Sequence, residues 1–120
     1  MAIAKKVLVV EDEQTIAESV QELLETEGYE VVTAHNGQVA LQKLPAEQVD
    51  LILSDIMMPF MNGWQLCQEL NNHPAYNKIK LVLMSAANPV NPNNSCKYVA
   101  WIKKPFDLDQ LIDTVKAQIV

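Results

Sequence analysis

Two rhythms of apolar residues alternate along this chain. Lys6-Val7-Leu8-Val9-Val10 is a nearly unbroken apolar run, the pattern of a strand covered on both faces. Ile16, Val20, Leu23 and Leu24 then recur at helical spacing, with Glu18, Glu22 and Glu25 on the opposite side, and Gly28 supplies a stop. The next run, Tyr29 to Ala34, half alternates and suits an edge strand. Asn36-Gly37 makes a turn, and Asn36 can cap a helix carrying Val39, Ala40, Leu41 and Leu44 that Pro45 closes. A third strand is expected over Val49–Ser54. A helix from about Gly63 follows, with Leu66, Cys67 and Leu70 inward, ending near Asn71-Asn72-His73-Pro74. Lys80–Met84 reads as a fourth strand and Tyr98–Ile102 as a fifth. Asp107 then caps a last helix with Leu108, Leu111, Ile112, Val115 and Ile119 on one stripe.

Five strands alternating with helices predict an α/β fold with a parallel sheet and right-handed crossovers that place helices on both faces. Residues 88–95 break the rhythm. Asn88-Pro89-Val90-Asn91-Pro92-Asn93-Asn94-Ser95 is rich in turn formers, so the helix expected before the fifth strand is short or irregular. No internal repeat, low-complexity tract or linker is visible, and the whole of residues 1–120 reads as a single domain.

Composition narrows the function. The formal charge is −6, hydrophobic residues make up 49% and charged residues 20%, which argues against disorder. No basic patch is visible, so direct nucleic-acid binding is not expected. No apolar run is long enough for a membrane span, and the stretch before Lys5 is too short for a signal peptide, so a cytoplasmic location is expected. The two cysteines, Cys67 and Cys96, form no metal-binding pair and are too few for a disulfide scaffold; Cys67 reads as a small apolar residue on a helix face. His35 and His73 read as surface residues.

In open parallel sheets, ligands bind beyond the carboxyl ends of the strands. At those ends this chain has Glu11 and Asp12, Asp55, Ser85 and Lys104. Any one could be a strand end meeting water. Three carboxylates, a hydroxyl and a lysine converging on one rim fit that reading poorly. Crowded carboxylates need neutralising, and Mg²⁺ takes such oxygen ligands together with phosphate oxygens. Asp12 and Asp55 are the expected direct ligands, with the longer Glu11 acting through water. The set suits phosphoryl transfer, which is mostly positioning and charge neutralisation, and an aspartate can itself be the nucleophile.

The motifs Val9-Val10-Glu11-Asp12-Glu13, Asp55-Ile56-Met57-Met58-Pro59-Phe60-Met61-Asn62-Gly63, Ser85-Ala86 and Lys104-Pro105-Phe106 resemble the receiver domain of two-component response regulators, the CheY-like family. Each motif alone is weak; their order and spacing over nearly the whole chain are specific. The resemblance implies a flavodoxin-like doubly wound sheet of order 2-1-3-4-5 and a phosphoacceptor, Asp55, served by a sensor histidine kinase or phosphotransfer protein. It implies a Mg²⁺ shell of Glu11, Asp12, Asp55 and the Met57 backbone carbonyl, phosphoryl contacts from Ser85 and Lys104, and a cis bond before Pro105. Trp101 falls where the family has Tyr or Phe, the aromatic that swings inward on activation. The switched surface would bind a downstream protein, and a homodimer stays open.

The chain departs from the family between Ser85 and Lys104, which is shorter than usual and lacks the usual acidic run before the fifth strand. Met57 and Ala87 flank the place where water would attack the phosphoryl group, and neither can orient it, so self-dephosphorylation is expected to be modest. Two other functions compete. A Mg²⁺-dependent phosphohydrolase would need a second acid where Met57 stands, and a cap over its substrate; hence no enzyme is expected beyond the domain's own phosphorylation and dephosphorylation. A binding module on a receiver fold that signals without phosphate is the alternative, favoured by the unusual segment 88–95.

Overall fold

The computed structural model describes residues 4–86 and 96–119. The expectation of a short or irregular helix in 88–95 lies outside them. Five strands, β1 (Lys6–Val10), β2 (Glu30–Ala34), β3 (Leu51–Asp55), β4 (Lys80–Ser85) and β5 (Ala100–Lys103), form one parallel sheet of order β2-β1-β3-β4-β5. Among the described residues four helices cover it: α1 (Gln14–Thr26), α2 (Gly37–Lys43), α3 (Gly63–Asn72) and α4 (Leu108–Gln118).

The alternation of each strand divides the core in two. Leu8, Val10, Ile52, Leu81 and Leu83 pack with Ala40, Leu66 and Leu70 on the side of α2 and α3. Val7, Val9, Leu51, Leu53, Val82 and Met84 pack with Val20, Leu24, Leu111 and Val115 on the side of α1 and α4. β3 lies in the middle of the sheet and all five of its residues are buried, which is why its sequence is apolar in both registers. β2, at the edge, keeps only Ala34 buried.

Local chemistry sets the helix ends. Asn36 caps α2 by accepting the Val39 N–H, and Asp107 caps α4 by accepting the Asp109 N–H. Gly28 follows α1 with φ +97°, a conformation that favours glycine. Asn62 and Gln65 form a capping box at α3, Asn62 accepting the Gln65 N–H while the Gln65 side chain accepts the Asn62 N–H.

Two expectations need correcting. β5 begins at Ala100 rather than Tyr98, because residues 96–98 are tied to α3 instead of β4: the Asn71 side chain accepts the Lys97 N–H (2.8 Å) and donates to the Lys97 carbonyl (3.3 Å). Cys67 is indeed inward and fully buried, but it is no plain apolar filler, since its sulfur is bonded to that of Cys96. Crossover topology brings together two residues 29 apart in sequence, which spacing alone does not show.

Candidate functional site

Asp55 and Ser85 are the last residues of β3 and β4, Glu11 and Lys104 sit one step past β1 and β5, and one further backbone bond fixes each strand end. The Glu11 N–H donates to the Ala34 carbonyl (3.0 Å), the Ile56 N–H to the Met84 carbonyl (3.0 Å), and the Lys104 N–H to the Ser85 carbonyl (2.9 Å). The ladders therefore extend to the edge of the sheet and deliver Glu11, Asp55, Ser85 and Lys104 to one place. The Lys104–Pro105 peptide bond is cis.

Carboxylate oxygens of Glu11, Asp12 and Asp55 all lie within 4.8 Å of one another. Glu11 and Asp55 are buried and Asp12 is exposed, so the cluster has a closed floor and an open mouth. The Lys104 ammonium reaches into it, 2.8 Å from Glu11 Oε1 and 3.2 Å from Asp55 Oδ2. The other Glu11 oxygen accepts the Asp12 N–H (3.0 Å), so both of its oxygens are engaged. Ser85 is buried at the end of β4. Met57 and Phe60 stand exposed beside Asp55. Phe60 has φ +66°, a left-handed conformation unusual for a bulky residue. Ala87 lies outside the described residues.

Gly63 makes the turn out of β3 tight. Its N–H donates to the Ile56 carbonyl (2.8 Å), and a Cβ there would come within 2.7 Å of the Asp55 carbonyl oxygen and the Ile56 Cα. The start of α3 is thus pressed against the backbone that carries Asp55. In the sequence Gly63 marks the start of the helix and the end of a motif; the close approach to the Asp55 and Ile56 backbone is what requires a glycine there.

Electrostatics follow from burial. Burial pushes the Glu11 carboxyl up to about 7; the Lys104 hydrogen bond opposes the rise and the charge of Asp55 adds to it. Burial works against the Lys104 ammonium too, but the Glu11 hydrogen bond and the charges of Asp55 and Glu11 outweigh it and hold Lys104 above the ordinary lysine value. Glu11 and Asp55 therefore share one ammonium. An all-oxygen, acid-rich set of this spacing fits a hard divalent cation, with Lys104 left to face an anion.

Trp101 lies on β5, half buried against the α2–α3 side of the core. Its indole N–H is buried with no acceptor among the described residues. Lys103 is exposed, as are His35 and His73. Among the described residues, no helix is long and apolar enough to cross a membrane.

The strand order and acidic rim define a class: a flavodoxin-like, CheY-like fold with an acidic pocket suited to a divalent cation. Residues 7–116 match the family described as "Response regulator receiver domain". The chain belongs to that family. It is 34% identical over 114 residues to the transcriptional regulatory protein CrdR of Helicobacter pylori, covering 93% of this chain and 54% of CrdR. It is 30% identical over 117 residues to protein PilG of Pseudomonas aeruginosa, covering 95% of this chain and 87% of PilG. The chain thus spans about half the length of CrdR and most of PilG. Among solved structures it resembles Vibrio cholerae chemotaxis protein CheY4, with TM-score 0.89 and 28% identity over 98% of this chain and all (100%) of that one. The receiver domain of a signal transduction histidine kinase from Syntrophus aciditrophicus gives TM-score 0.90 and 32% identity, covering 97% and 90%. Receiver domains are phosphoacceptor signalling modules that bind Mg²⁺ in an acidic pocket, work with histidine kinases or phosphotransfer proteins and act on downstream effectors; they are not enzymes in the ordinary sense.

Proposed function

We propose that Asp55 accepts a phosphoryl group from a phosphohistidine and that the charge it gains switches a protein-binding surface. The observation that carries this reading is the position of Asp55. Its carboxylate ends the fully buried central strand, clusters with Glu11 and Asp12, and lies 3.2 Å from the Lys104 ammonium. A nucleophile fixed on a rigid strand and flanked by charge compensation is what an in-line transfer requires. An Asp55 oxygen attacks phosphorus, the phosphorus–nitrogen bond breaks, and the imidazole leaves with a proton.

Glu11, Asp12, Asp55 and the Met57 backbone carbonyl are the groups that would hold Mg²⁺, which when bound neutralises charge on the transferring oxygens. Lys104, released from part of its pairing with Asp55, turns to a phosphoryl oxygen, and Ser85 donates its hydroxyl to another. The new group adds about −1.5 to −2 charges and three acceptors at this point. Ser85 and Lys104 lie on neighbouring strands joined by the Lys104 N–H to Ser85 carbonyl bond, so both strand ends sense the change together. Trp101 on β5 is the aromatic placed to report it. In this reading, residues 1–120 act as one receiver unit in the cytoplasm, with a downstream protein as target.

Beryllofluoride with Mg²⁺, a mimic of the phosphoryl group, separates this reading from a phosphate-independent module. The account predicts shifted amide resonances at Asp55, Ser85 and Lys104 and a shifted Trp101 indole signal. Unchanged spectra at saturating beryllofluoride would favour the phosphate-independent module.

A further inference from the structure

The Cys67–Cys96 pair belongs to no part of the phosphoryl site. Cys67 lies in the middle of α3 and Cys96 precedes β5, with Cα atoms 5.8 Å apart, an ordinary separation for a disulfide. The bond joins α3 to the approach of β5, which carries Trp101 and leads to Lys104. Two further contacts span the same junction. The Asn71 amide pairs with both backbone groups of Lys97, and the Trp64 ring meets Tyr98 edge-on with centroids 5.8 Å apart.

We propose that Cys67–Cys96 is a reversible thiol–disulfide exchange site, reduced by small-molecule thiols of the glutathione class, that sets how firmly residues 96–99 are held to α3. Three features of the junction carry this. First, it is held twice, covalently and by the Asn71 and Trp64 contacts, so the fold survives loss of the covalent link. Second, the dithiol has partners waiting. The Cys67 sulfur lies 3.5 Å from the Lys97 carbonyl, which can accept a thiol hydrogen, and 3.9 Å from the Asn71 Nδ2, which can donate to a departing thiolate. Third, the two sulfurs differ. Cys67 is buried within α3, whereas Cys96 is buried but lies outside regular structure in the segment that opens when residues 96–99 loosen, so Cys96 is the sulfur to be attacked.

The exchange balances in two steps. A glutathione thiolate attacks the Cys96 sulfur; the protein disulfide breaks, and Cys67 leaves as a thiolate and takes a proton. A second glutathione thiolate attacks the mixed disulfide, releasing Cys96 and oxidised glutathione. Two electrons pass from the thiols to the protein, and oxidised glutathione runs the sequence in reverse.

The test uses the wild-type chain equilibrated in a graded series of reduced to oxidised glutathione. Each sample is quenched in acid, alkylated and weighed, and amide hydrogen exchange is read at residues 97–99 in parallel. The proposal predicts smooth, reversible conversion between no alkylated cysteine and two. It predicts exchange at 97–99 roughly tenfold faster in the reduced form, while β1 and β3 stay protected. Cys67→Ser should exchange at the reduced rate whatever the buffer. A disulfide that persists across the series, a dithiol that never oxidises, or conversion with no change in exchange would each overturn the proposal. The wild-type series does not depend on how well the variant folds.

Discussion

Glu11 holds a proton near neutrality because its carboxyl is cut off from water and shares one ammonium with Asp55. Its folded value of about 7 lies above the ordinary 4.5, so the protonated form favours the folded state. That stabilisation is complete below 4.5 and is lost as pH rises through about 7. Without divalent metal, Glu11→Gln should therefore gain on the wild type by about 1–3 kcal/mol between acid and mildly alkaline pH. Urea unfolding in EDTA across that window checks it, and parallel curves for the two proteins would contradict it. Lys104 works in the opposite sense. Lys104→Met removes the shared ammonium and leaves two buried acids facing each other, at a cost of about 1–3 kcal/mol at pH 8. The same variant should push the Glu11 carboxyl further up, which a carbon-detected NMR titration of its side chain would follow. The acidic and basic members of this rim were legible in the sequence from strand ends alone. Their pairing was not. Glu11, expected to act through water, is the buried partner of Lys104, and only the depth of the β1 end relative to β5 decides that.

Elements explain why the rim is rigid. The turn from β3 into α3 closes so tightly at Gly63 that a methyl group has no room against the Asp55 carbonyl oxygen and Ile56 Cα. Both neighbours are backbone, so Gly63→Ala must move the strand end or the helix. The expected loss is about 1–3 kcal/mol, together with weakened Mg²⁺ binding, since the displaced backbone carries Asp55. Asn62→Ala, which removes one cap from the same helix, should cost only about 1 kcal/mol and leave Mg²⁺ affinity alone. Comparing the two by denaturation and metal titration separates loss of helix from loss of site geometry. Helix caps at Asn36 and Asp107 could be read from the sequence because a single polar residue precedes each apolar stripe. The late start of β5 could not. Tyr98 and Val99 carry strand-like side chains, yet Asn71 claims the backbone of Lys97 for α3, and a side chain on a distant helix leaves no local mark.

At the scale of the molecule, the order β2-β1-β3-β4-β5 turns four separate strand ends, those of β1, β3, β4 and β5, into one pocket. The apolar runs predicted the strands and the alternating helices predicted a parallel sheet; the order itself came from the resemblance, and the pairing of β3 with both β1 and β4 now gives its reason. Only the innermost strand is buried along its whole length, and that strand holds Asp55. The Cys67–Cys96 bond was not legible, because it depends on where α3 and the approach to β5 meet after two crossovers. Above these details stands one claim, that Asp55 is the phosphoacceptor. It is tested most directly by incubating the chain with acetyl phosphate and Mg²⁺ and mapping the adduct by mass spectrometry. The account predicts one phosphoryl group per chain, located on Asp55, abolished by EDTA and absent from Asp55→Asn. A wild-type chain that stays unmodified, or an adduct that persists in Asp55→Asn, would contradict it.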